Sequence, residues 1–565
     1  MVNLKKFQEQ FIPATLLLVT LGVVPWLALE PINTVKFLFI TVAGVMCLGI
    51  IVQNYSVLSR APGRKRILLA VIVTLISTNI FVFFFSNGGW RQQLFGNQGR
   101  NTGLIFYLSL ALILIFVLYF SDDKLESTLL KVFNICGMIS IAYSFIQYFE
   151  IDPINWKNPY SSLIGFQGNP NFQSSFLGLH AIFLLYGLIF GSESKLKKVF
   201  VSITLVASIY IIVVSDSIQG VFVFFTGGSL LFLYLIKFSK VRFLFLPYLI
   251  SLIGGFVLTV FGLLQKGPLQ FLYQPSVSFR GDYWRAGWKM FQDNLIFGLG
   301  HSSFGNYYMS YRDPKSLSGI GGRGVDTFSN SAHNVFVDIA VSGGLLSLVP
   351  YCALILFSIY YLFKVTQDRL PKNNKIALFS ALWFAYLLQS IISVQFATLA
   401  FWGWVFLGLF IRNAIDSMLP SFTADGVKSK SIKGTPLLEN SKNNLVVMLL
   451  SAFMGIGIGI LPLSAGIAQK SAYQSQRLDR VISSAYVEIL DADRMNQTAL
   501  LLAKNNQITE ALKILNKAKE VNPRNYDTWL LISKLSPPDS SQSKEATARY
   551  IEINPYAEIK GIQRK

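Results

Sequence analysis

A polar segment at residues 265–333 carries several side chains whose types can do chemistry. It has more basic than acidic residues, and guanidinium or ammonium groups that cluster in this way bind phosphate oxygens. The phosphate can belong to anionic lipid headgroups or to a phosphate-bearing ligand. The basic residues are Lys266, Arg280, Arg285, Lys289, Arg312, Lys315 and Arg323, and the acidic ones are Asp282, Asp293, Asp313 and Asp326.

Histidine supplies the candidate proton acceptor. His333, followed by Asn334, ends the segment just before an apolar run. An imidazole there can take a proton from a hydroxyl at neutral pH, and a hydrogen-bonded cap is the alternative role. Asp326 is a reserve base. His180 lies inside an apolar run, where polar groups are costly and often functional, although an interhelical hydrogen bond explains it equally.

The stretch at residues 279–300 has the spacing of a helix that lies on a membrane surface. Arg285 and Lys289 form a basic pair at i and i+4 on another side, and a plain interfacial helix fits the same pattern. The glycines around Arg323 let a backbone approach a ligand closely, or they form a flexible linker. The apolar positions are Trp284, Trp288, Phe291 and Leu295.

The composition requires that these side chains be held by membrane helices. Of the 565 residues, 52% are hydrophobic and 14% are charged, against about a quarter charged in soluble proteins. Thirteen apolar runs approach the roughly 20 residues that a span needs, which predicts an all-α, polytopic bundle of 12–13 spans. They lie at 11–29, 34–52, 67–86, 103–121, 129–149, 171–191, 199–215, 218–236, 243–264, 334–363, 376–395, 398–415 and 444–466.

The basic residues behind the net charge of +20 fall into two groups, those in alternate loops and those in 265–333. Most basic residues fall in alternate loops, which predicts that those loops are cytoplasmic and that 265–333 is extracytoplasmic. This scatter argues against nucleic acid as a partner. Lys36, at the outer end of the second span, is an exception that we expect to snorkel.

The predicted units are 1–264 with spans one to nine, the loop 265–333, spans ten to twelve at 334–415, a basic cytoplasmic linker at 416–443, a last span at 444–468 and an exported tail at 469–565.

The tail has charged, helical patterning. Asn522 and Pro523 recur as Asn554 and Pro555, a period close to the 34 residues of a tetratricopeptide (TPR) unit. An unrelated helical hairpin is the alternative. A short TPR-like stack would dock a protein partner or an acceptor.

Four segments together resemble the O-antigen ligase and polymerase superfamily, which handles glycans linked to undecaprenyl diphosphate in the bacterial inner membrane. The similarity is best at residues 279–350 and looser over 90–420. The segments are LFGNQGRNTGLIFYL, GFQGNPNFQSSFLG, SFRGDYWRAGWKMFQDNLIFGLGHSSFGNYY and HNVFVDIAVSGGLLSL.

The resemblance implies an inverting, metal-independent glycosyl transfer at the extracytoplasmic face, with no cofactor. By position, Arg280 matches the family's loop arginine, which binds the diphosphate, and His333 matches the histidine that activates the acceptor. Arg323, Arg100 and Arg91 are secondary phosphate candidates, and Arg285 and Asn334 are further possible site residues. Gln219 is a further diphosphate candidate, since it can donate hydrogen bonds, but it adds no charge and stands where many members have a cation, which puts a strict transfer of the ligase mechanism in doubt.

Three acceptors stay open on this interpretation. Lipid A core gives a ligase of lipopolysaccharide biosynthesis, a second lipid-linked chain gives a polymerase, and a protein Ser or Thr gives an O-oligosaccharyltransferase. A transporter or flippase of an anionic lipid or solute is the alternative from another class, and it predicts charged residues within spans. Asp338 is the main such residue in the runs above.

Overall fold

The computed structural model describes residues 4–61, 63–156, 163–192, 194–314, 327–367, 374–418 and 442–557. All regular elements in these ranges are helical, so the all-α prediction is confirmed. The predicted basic linker at 416–443 lies almost entirely outside the described residues.

Seventeen described helices precede the tail. They are α1 (Leu4–Leu21), α2 (Asn33–Gln53), α3 (Tyr55–Ser59), α4 (Gly63–Phe85), α5 (Trp90–Phe95), α6 (Leu104–Phe120), α7 (Asp123–Tyr148), α8 (Pro170–Phe190), α9 (Lys195–Val214), α10 (Ile218–Lys237), α11 (Phe245–Leu263), α12 (Pro275–Asp293), α13 (Phe304–Tyr311), α14 (Val335–Gln367), α15 (Lys375–Ile391), α16 (Ala397–Ser417) and α17 (Lys442–Ser475).

Each of the thirteen predicted spans overlaps one of these helices, although the first, predicted at 11–29, ends early because α1 stops at Leu21. Ten are long and apolar enough to cross a bilayer, and α1, α6 and α15 contain the shorter apolar stretches. The chain is therefore a multi-pass membrane protein. Helix α16 lies at the centre, because 94% of its apolar window is buried, whereas the window of α11 is 0% buried and its apolar side chains face outward.

Two of the segments that were predicted to share one side, 87–102 and 265–333, contact one another or the tail at one end of the bundle. We call this end the tail side, since the tail lies there. Arg91, after α4, pairs with Glu488 of the tail, and Asn97, before α6, donates to the Ser302 carbonyl. At the opposite end, buried Glu126 at the start of α7 pairs with Lys375 and Arg412.

Helix α14 is broken at Gly344, and another segment of the chain enters the break. Gly344 has φ +57° and ψ −153°. In a continuous helix the Val341 carbonyl would accept from the Leu345 amide. Here Val341 O accepts from the Leu299 amide at 2.8 Å, and the Leu345 amide donates to Leu295 O at 2.8 Å. Residues 295–300, which we call the insert, thus satisfy the backbone groups that the break exposes.

The insert explains where the helix predicted over 279–300 ends. Helix α12 stops at Asp293, and the Asn294 side chain donates to the Met290 carbonyl at 3.0 Å. Leu295, predicted at a helical position, lies in the insert instead. Gly298 has φ +64°, and a Cβ there would come within 2.6 Å of the Gly343 nitrogen. The prediction of one helix to residue 300 was therefore wrong in its second part, because tertiary backbone pairing replaces the last turns.

The tail forms two helical hairpins that follow α17, which extends past the predicted end of the last span at 468. Its helices are α18 (Leu478–Ser484), α19 (Ala492–Lys504), α20 (Ile508–Val521), α21 (Tyr526–Leu535) and α22 (Ser541–Ile553). Helix α19 packs on α20, and α21 packs on α22. Equivalent positions 32 residues apart contact one another, since Thr528 donates to Asn496 at 2.9 Å and Asn525 donates to Asp493 at 2.7 Å.

Both Asn-Pro turns of the tail dock on or beside α13. Asn522 donates to the Asn306 side chain at 3.0 Å, and Asn554 accepts from buried Arg312 at 3.0 Å. Arg524 also stacks over the Tyr307 ring at 4.2 Å. These turns are therefore occupied within the chain itself.

Lys36 does not snorkel as predicted, because it is fully buried between helices. Its ammonium donates to the carbonyls of Val19 and Thr20 at 2.7 and 3.2 Å. It also reaches Gln167 Oε1 at 3.1 Å and Thr398 Oγ1 at 3.0 Å. One cation thus joins the end of α1, the 165–167 turn and the start of α16 through neutral oxygens.

The Gly344→Ala substitution is expected to destabilise the protein. The φ/ψ pair is one that essentially only glycine adopts, at a cost of about 1–3 kcal/mol for other residues, and a Cβ would lie 2.3 Å from Ile296 O. The midpoint of unfolding in detergent should fall clearly. Gly254→Ala is the matched control, since its Cβ meets nothing within 4 Å. Equal midpoints for the two variants would contradict the proposed role of the break.

The Lys36→Met substitution is expected to lower the free energy of unfolding by about 1–3 kcal/mol, because buried carbonyl groups lose their donor. Lys289→Met removes a charge from an exposed position on α12 and serves as the control. Denaturation of both variants in the same detergent measures the difference. A Lys36→Met protein as stable as the Lys289→Met protein would show that the four oxygens do not need the ammonium.

Candidate functional site

The candidate site lies on the tail side, where α12, α13 and residues 327–334 meet. Arg280 and Tyr283 are three residues apart on α12, so they project from one face of the helix. The Tyr283 ring stacks on the His333 ring with centroids 5.3 Å apart and planes at 21°. Tyr283 also contacts Tyr308 of α13 edge to face at 5.4 Å. The two principal candidates from the sequence, Arg280 and His333, therefore share Tyr283 as a neighbour.

Arg280 is half-buried and has an unused donor. Its Nη1 donates to the hydroxyl and the carbonyl of Ser276 at 3.3 and 3.5 Å. Its Nε is buried and has no hydrogen-bond partner among the described residues. Burial lowers the pKa of Arg280, while the nearby Tyr283 acts in the opposite direction. A guanidinium that is partly desolvated and under-bonded is suited to anionic oxygens.

His333 is held at a defined place by its own backbone. Its φ is +53°, in the left-handed region that histidine tolerates better than most residues, and its amide donates to Ser331 Oγ at 3.1 Å. Asn334 caps α14, because its Oδ1 accepts from the amides of Phe336 and Val337 at 3.0 and 3.3 Å. Asn334 therefore stabilises the N-terminus of α14.

Asp338 folds the segment before α14 back onto the first turn of that helix. Its carboxylate accepts from Ser331 Oγ at 2.6 Å and from the Ala332 amide at 2.7 Å. Ser331 in turn holds the His333 amide. Asp338 is thus connected to the candidate base through one hydroxyl, and the sequence signal that could have identified it was a carboxylate inside an apolar run.

Arg100 lies across a small cavity from Asp338. The cavity has a volume of about 40 Å³, and Asn97, Arg100, Ser331 and Asp338 are among its lining residues. Burial lowers the pKa of Arg100, and the Asp338 charge opposes that shift. Because ligand pockets usually measure about 300–1,000 Å³, this cavity holds water-sized molecules, and a diphosphate would require side chains to move.

Four other candidates are engaged with other side chains. Arg91 pairs with Glu488 at 2.9 Å and stacks on Trp90 at 4.4 Å. Gln219 accepts from Gln389 at 3.1 Å. Buried His180 contacts Asn134 at 3.1 Å, the interhelical bond that the sequence left open. Arg285 pairs with Asp282 and, at 3.6 Å, with Asp313.

Arg323 and Asp326 lie outside the described residues, so their relation to this group is not described. Within the described ranges there is no group of three or more His, Cys, Asp or Glu side chains that could hold a metal ion. The third histidine, His301, is buried beside the insert, where its Nε2 contacts the Asn79 carbonyl at 3.1 Å. Burial lowers the pKa of His301 to about 4, so it is neutral at physiological pH.

The arrangement can bind an anion and accept a proton within one region. Arg280 offers a guanidinium to phosphate oxygens, and the imidazole of His333 lies against the same tyrosine ring. Arg100 adds a second cation behind Ser331 and Asp338. Tyr283, which sequence reasoning did not single out, links the two halves.

Comparison with known proteins supports the same region. The family profile described as O-antigen ligase matches residues 171–352. This range runs from the start of α8 through the insert to the middle of α14, and it contains Arg280, Tyr283, His333 and Asp338. No curated protein matches the chain significantly. Residues 171–352 are therefore similar to the O-antigen ligase family, and this similarity supports a glycan-transfer function for the region.

Proposed function

We propose that the chain transfers a glycan from undecaprenyl diphosphate to an acceptor hydroxyl, with inversion and without a metal. The observation that carries this proposal is the convergence of Arg280 and His333 on Tyr283 inside the region that the ligase profile matches. Within the described residues, a cation with an unused donor and a candidate base thus both lie near one tyrosine.

In the proposed reaction, His333 takes the proton from the acceptor hydroxyl. The hydroxyl oxygen then forms a bond to the anomeric carbon of the lipid-linked sugar, and the bond from that carbon to the diphosphate oxygen breaks. Undecaprenyl diphosphate leaves with the electron pair, and the proton stays on His333 until solvent removes it. Arg280 neutralises the charge that develops on the leaving diphosphate.

We place this reaction at the extracytoplasmic face of the bacterial inner membrane. The positive-inside pattern puts the tail side there, and α12 supports a surface position because Trp288 is exposed while Ala286 and Met290 are buried. A helix of this kind can lie along the bilayer surface, where the diphosphate of a lipid carrier also lies.

The acceptor decides which member of the superfamily this enzyme is. Lipid A core would make it a ligase, a second lipid-linked chain a polymerase, and a protein hydroxyl an O-oligosaccharyltransferase. An assay that offers each acceptor to the purified protein, with the same lipid-linked donor, distinguishes these three activities. Movement of the donor across liposomes without any transfer would instead support a flippase.

Substitution of the two principal residues tests the mechanism. His333→Ala should lower the transfer rate by about 10²–10⁴-fold, the usual contribution of a general base. Arg280→Gln should lower it by about 10²–10³-fold, as expected when one charge-stabilising donor is lost. Arg280→Lys should recover part of the rate, because it keeps the charge and loses the fork. Transfer from undecaprenyl-diphosphate glycan is measured in membranes at matched protein levels.

The matched control is Lys289→Gln, which removes a cation from the exposed face of the same helix. It should keep the wild-type rate. If His333→Ala and Arg280→Gln were as active as this control, the assignment of the site would be wrong.

Asp338→Asn tests whether Asp338 positions the candidate base. The variant keeps one acceptor oxygen and loses the charge, so the Ser331 to His333 segment should shift and transfer should fall by about 10²-fold. In a His333→Ala background the same change should cost almost nothing further, because residues that act through one another are not additive. A full additional loss in that background would contradict a role through His333. Asp416→Asn, at the other end of the bundle, controls for general charge effects.

A further inference from the structure

A cleft separates the tail from the tail-side loops of the membrane domain. It consists of two adjoining cavities of about 420 and 650 Å³, which share Glu30, Gln98 and Asp493. We call this space the tail cleft. Each cavity lies in the range of about 300–1,000 Å³ that is typical of ligand sites, so the tail cleft has room for several sugar rings in sequence.

The chemistry of the walls favours a neutral, hydroxyl-rich ligand. Carboxylates outnumber cations, since Glu30, Asp491, Asp493, Glu520 and Asp527 oppose Arg91, Arg494 and Lys517. When these acids are ionised, the balance disfavours a diphosphate. Side-chain amides also line the walls, Phe328 is half-exposed, and Trp90 is half-exposed with Arg91 over one face of its ring. Amides, carboxylates and an apolar ring face together match the hydroxyls and the C–H face of a sugar.

Two buried polar groups in the tail cleft lack partners among the described residues. Asn101 is 4% exposed, and its Oδ1 accepts no hydrogen bond. Gln98, which lines both cavities, has a buried Oε1 in the same condition. An unsatisfied buried acceptor costs about 1–3 kcal/mol. Both acceptors lack an O–H or N–H donor in the described part of the chain.

The acids of the tail cleft can serve a polyol in either protonation state. Burial raises the pKa of Asp493 to about 7, and the nearby Asp491 charge adds to that shift. Burial also raises the pKa of Glu30. A protonated carboxyl donates one hydrogen bond and accepts another, whereas a carboxylate only accepts.

The tail cleft adjoins the candidate active site. Asn97 lines the tail cleft and also the cavity between Arg100 and Asp338. Its side chain donates to Ser302 O at 3.1 Å, which ties this loop to the segment before α13. A chain held in the tail cleft would therefore lie one loop away from Arg100.

We propose that the tail cleft binds a stretch of neutral glycan and holds it beside the transfer site. This inference rests on the proposed function insofar as the enzyme must handle glycans, but it assigns a separate binding site. The tail acts as one wall of that site, and its Asn-Pro turns, docked at α13, hold the wall in place.

Photo-crosslinking in cells tests this assignment on the full chain. A benzoylphenylalanine replaces Leu500, which lines the tail cleft and is 43% exposed, or Leu478, which is 44% exposed and does not line it. The cells make an undecaprenyl-diphosphate-linked polysaccharide, and that glycan is the probe. After illumination, the denatured protein is purified, oxidised with periodate and labelled with a hydrazide.

Glycan should be captured at position 500 at least tenfold more than at position 478. Gln98→Ala should reduce the capture at 500 by about fivefold or more at unchanged protein level. Equal labelling at 500 and 478, or a protein captured at 500 in place of glycan, would overturn the assignment.

The two proposals can fail separately. With His333→Ala, transfer should be lost while capture at position 500 persists. If the wild-type chain transferred glycan normally but captured none at position 500, the tail cleft assignment would be refuted and the proposed reaction would stand. Capture at 500 by a wild-type chain that transfers no glycan would remove the proposed reaction and leave the tail cleft as a glycan site.

Discussion

The insertion of residues 295–300 into the break of α14 is the interaction on which the candidate site depends. A backbone that unwinds within a bilayer must find new partners, because lipid offers none, and the Val341 and Leu345 groups find them in Leu299 and Leu295. The insert follows α12 directly and leads into α13. It therefore anchors the helix that carries Arg280 and Tyr283 against the helix whose start carries His333. Without glycine at 298 and 344 the two backbones could not approach this closely.

The burial of charge decides which cations can act on a substrate. Lys36 donates hydrogen bonds to four neutral oxygens, and Arg412 forms an ion pair with the buried Glu126. Arg312 and Arg524 hold the tail, and Arg91 pairs with it. Arg280 differs from these residues because its described hydrogen bonds go to Ser276, one turn away on its own helix, while its Nε has no partner in the described part of the chain. Many of the basic residues behind the net charge of +20 are thus already paired within the protein. Among the guanidinium groups on the tail side, Arg280 lies near His333.

The tail belongs to the same arrangement as the site. It contacts α13 through both of its repeated turns, so it also braces the helix whose Tyr308 supports Tyr283. The space left between the tail and the loops is rich in amides and carboxylates, whereas Arg280 offers a guanidinium. The proposed transfer from a diphosphate would use both environments, because its leaving group is anionic and a neutral glycan is not.

Much of the architecture follows from the sequence by itself, because hydropathy and charge act locally. The thirteen apolar runs, the alternation of basic loops and the resemblance carried by residues 278–308 and 333–348 required no tertiary information. Which polar residues meet was decided by the tertiary structure. Arg280 and His333 are 53 positions apart and share Tyr283, while Arg91, Gln219 and His180 found partners that no spacing indicates. The end of α12 and the burial of Lys36 were misjudged for the same reason: a hydrogen bond to a distant backbone outweighs a local helical or snorkelling preference, and only the folded chain brings that backbone within reach.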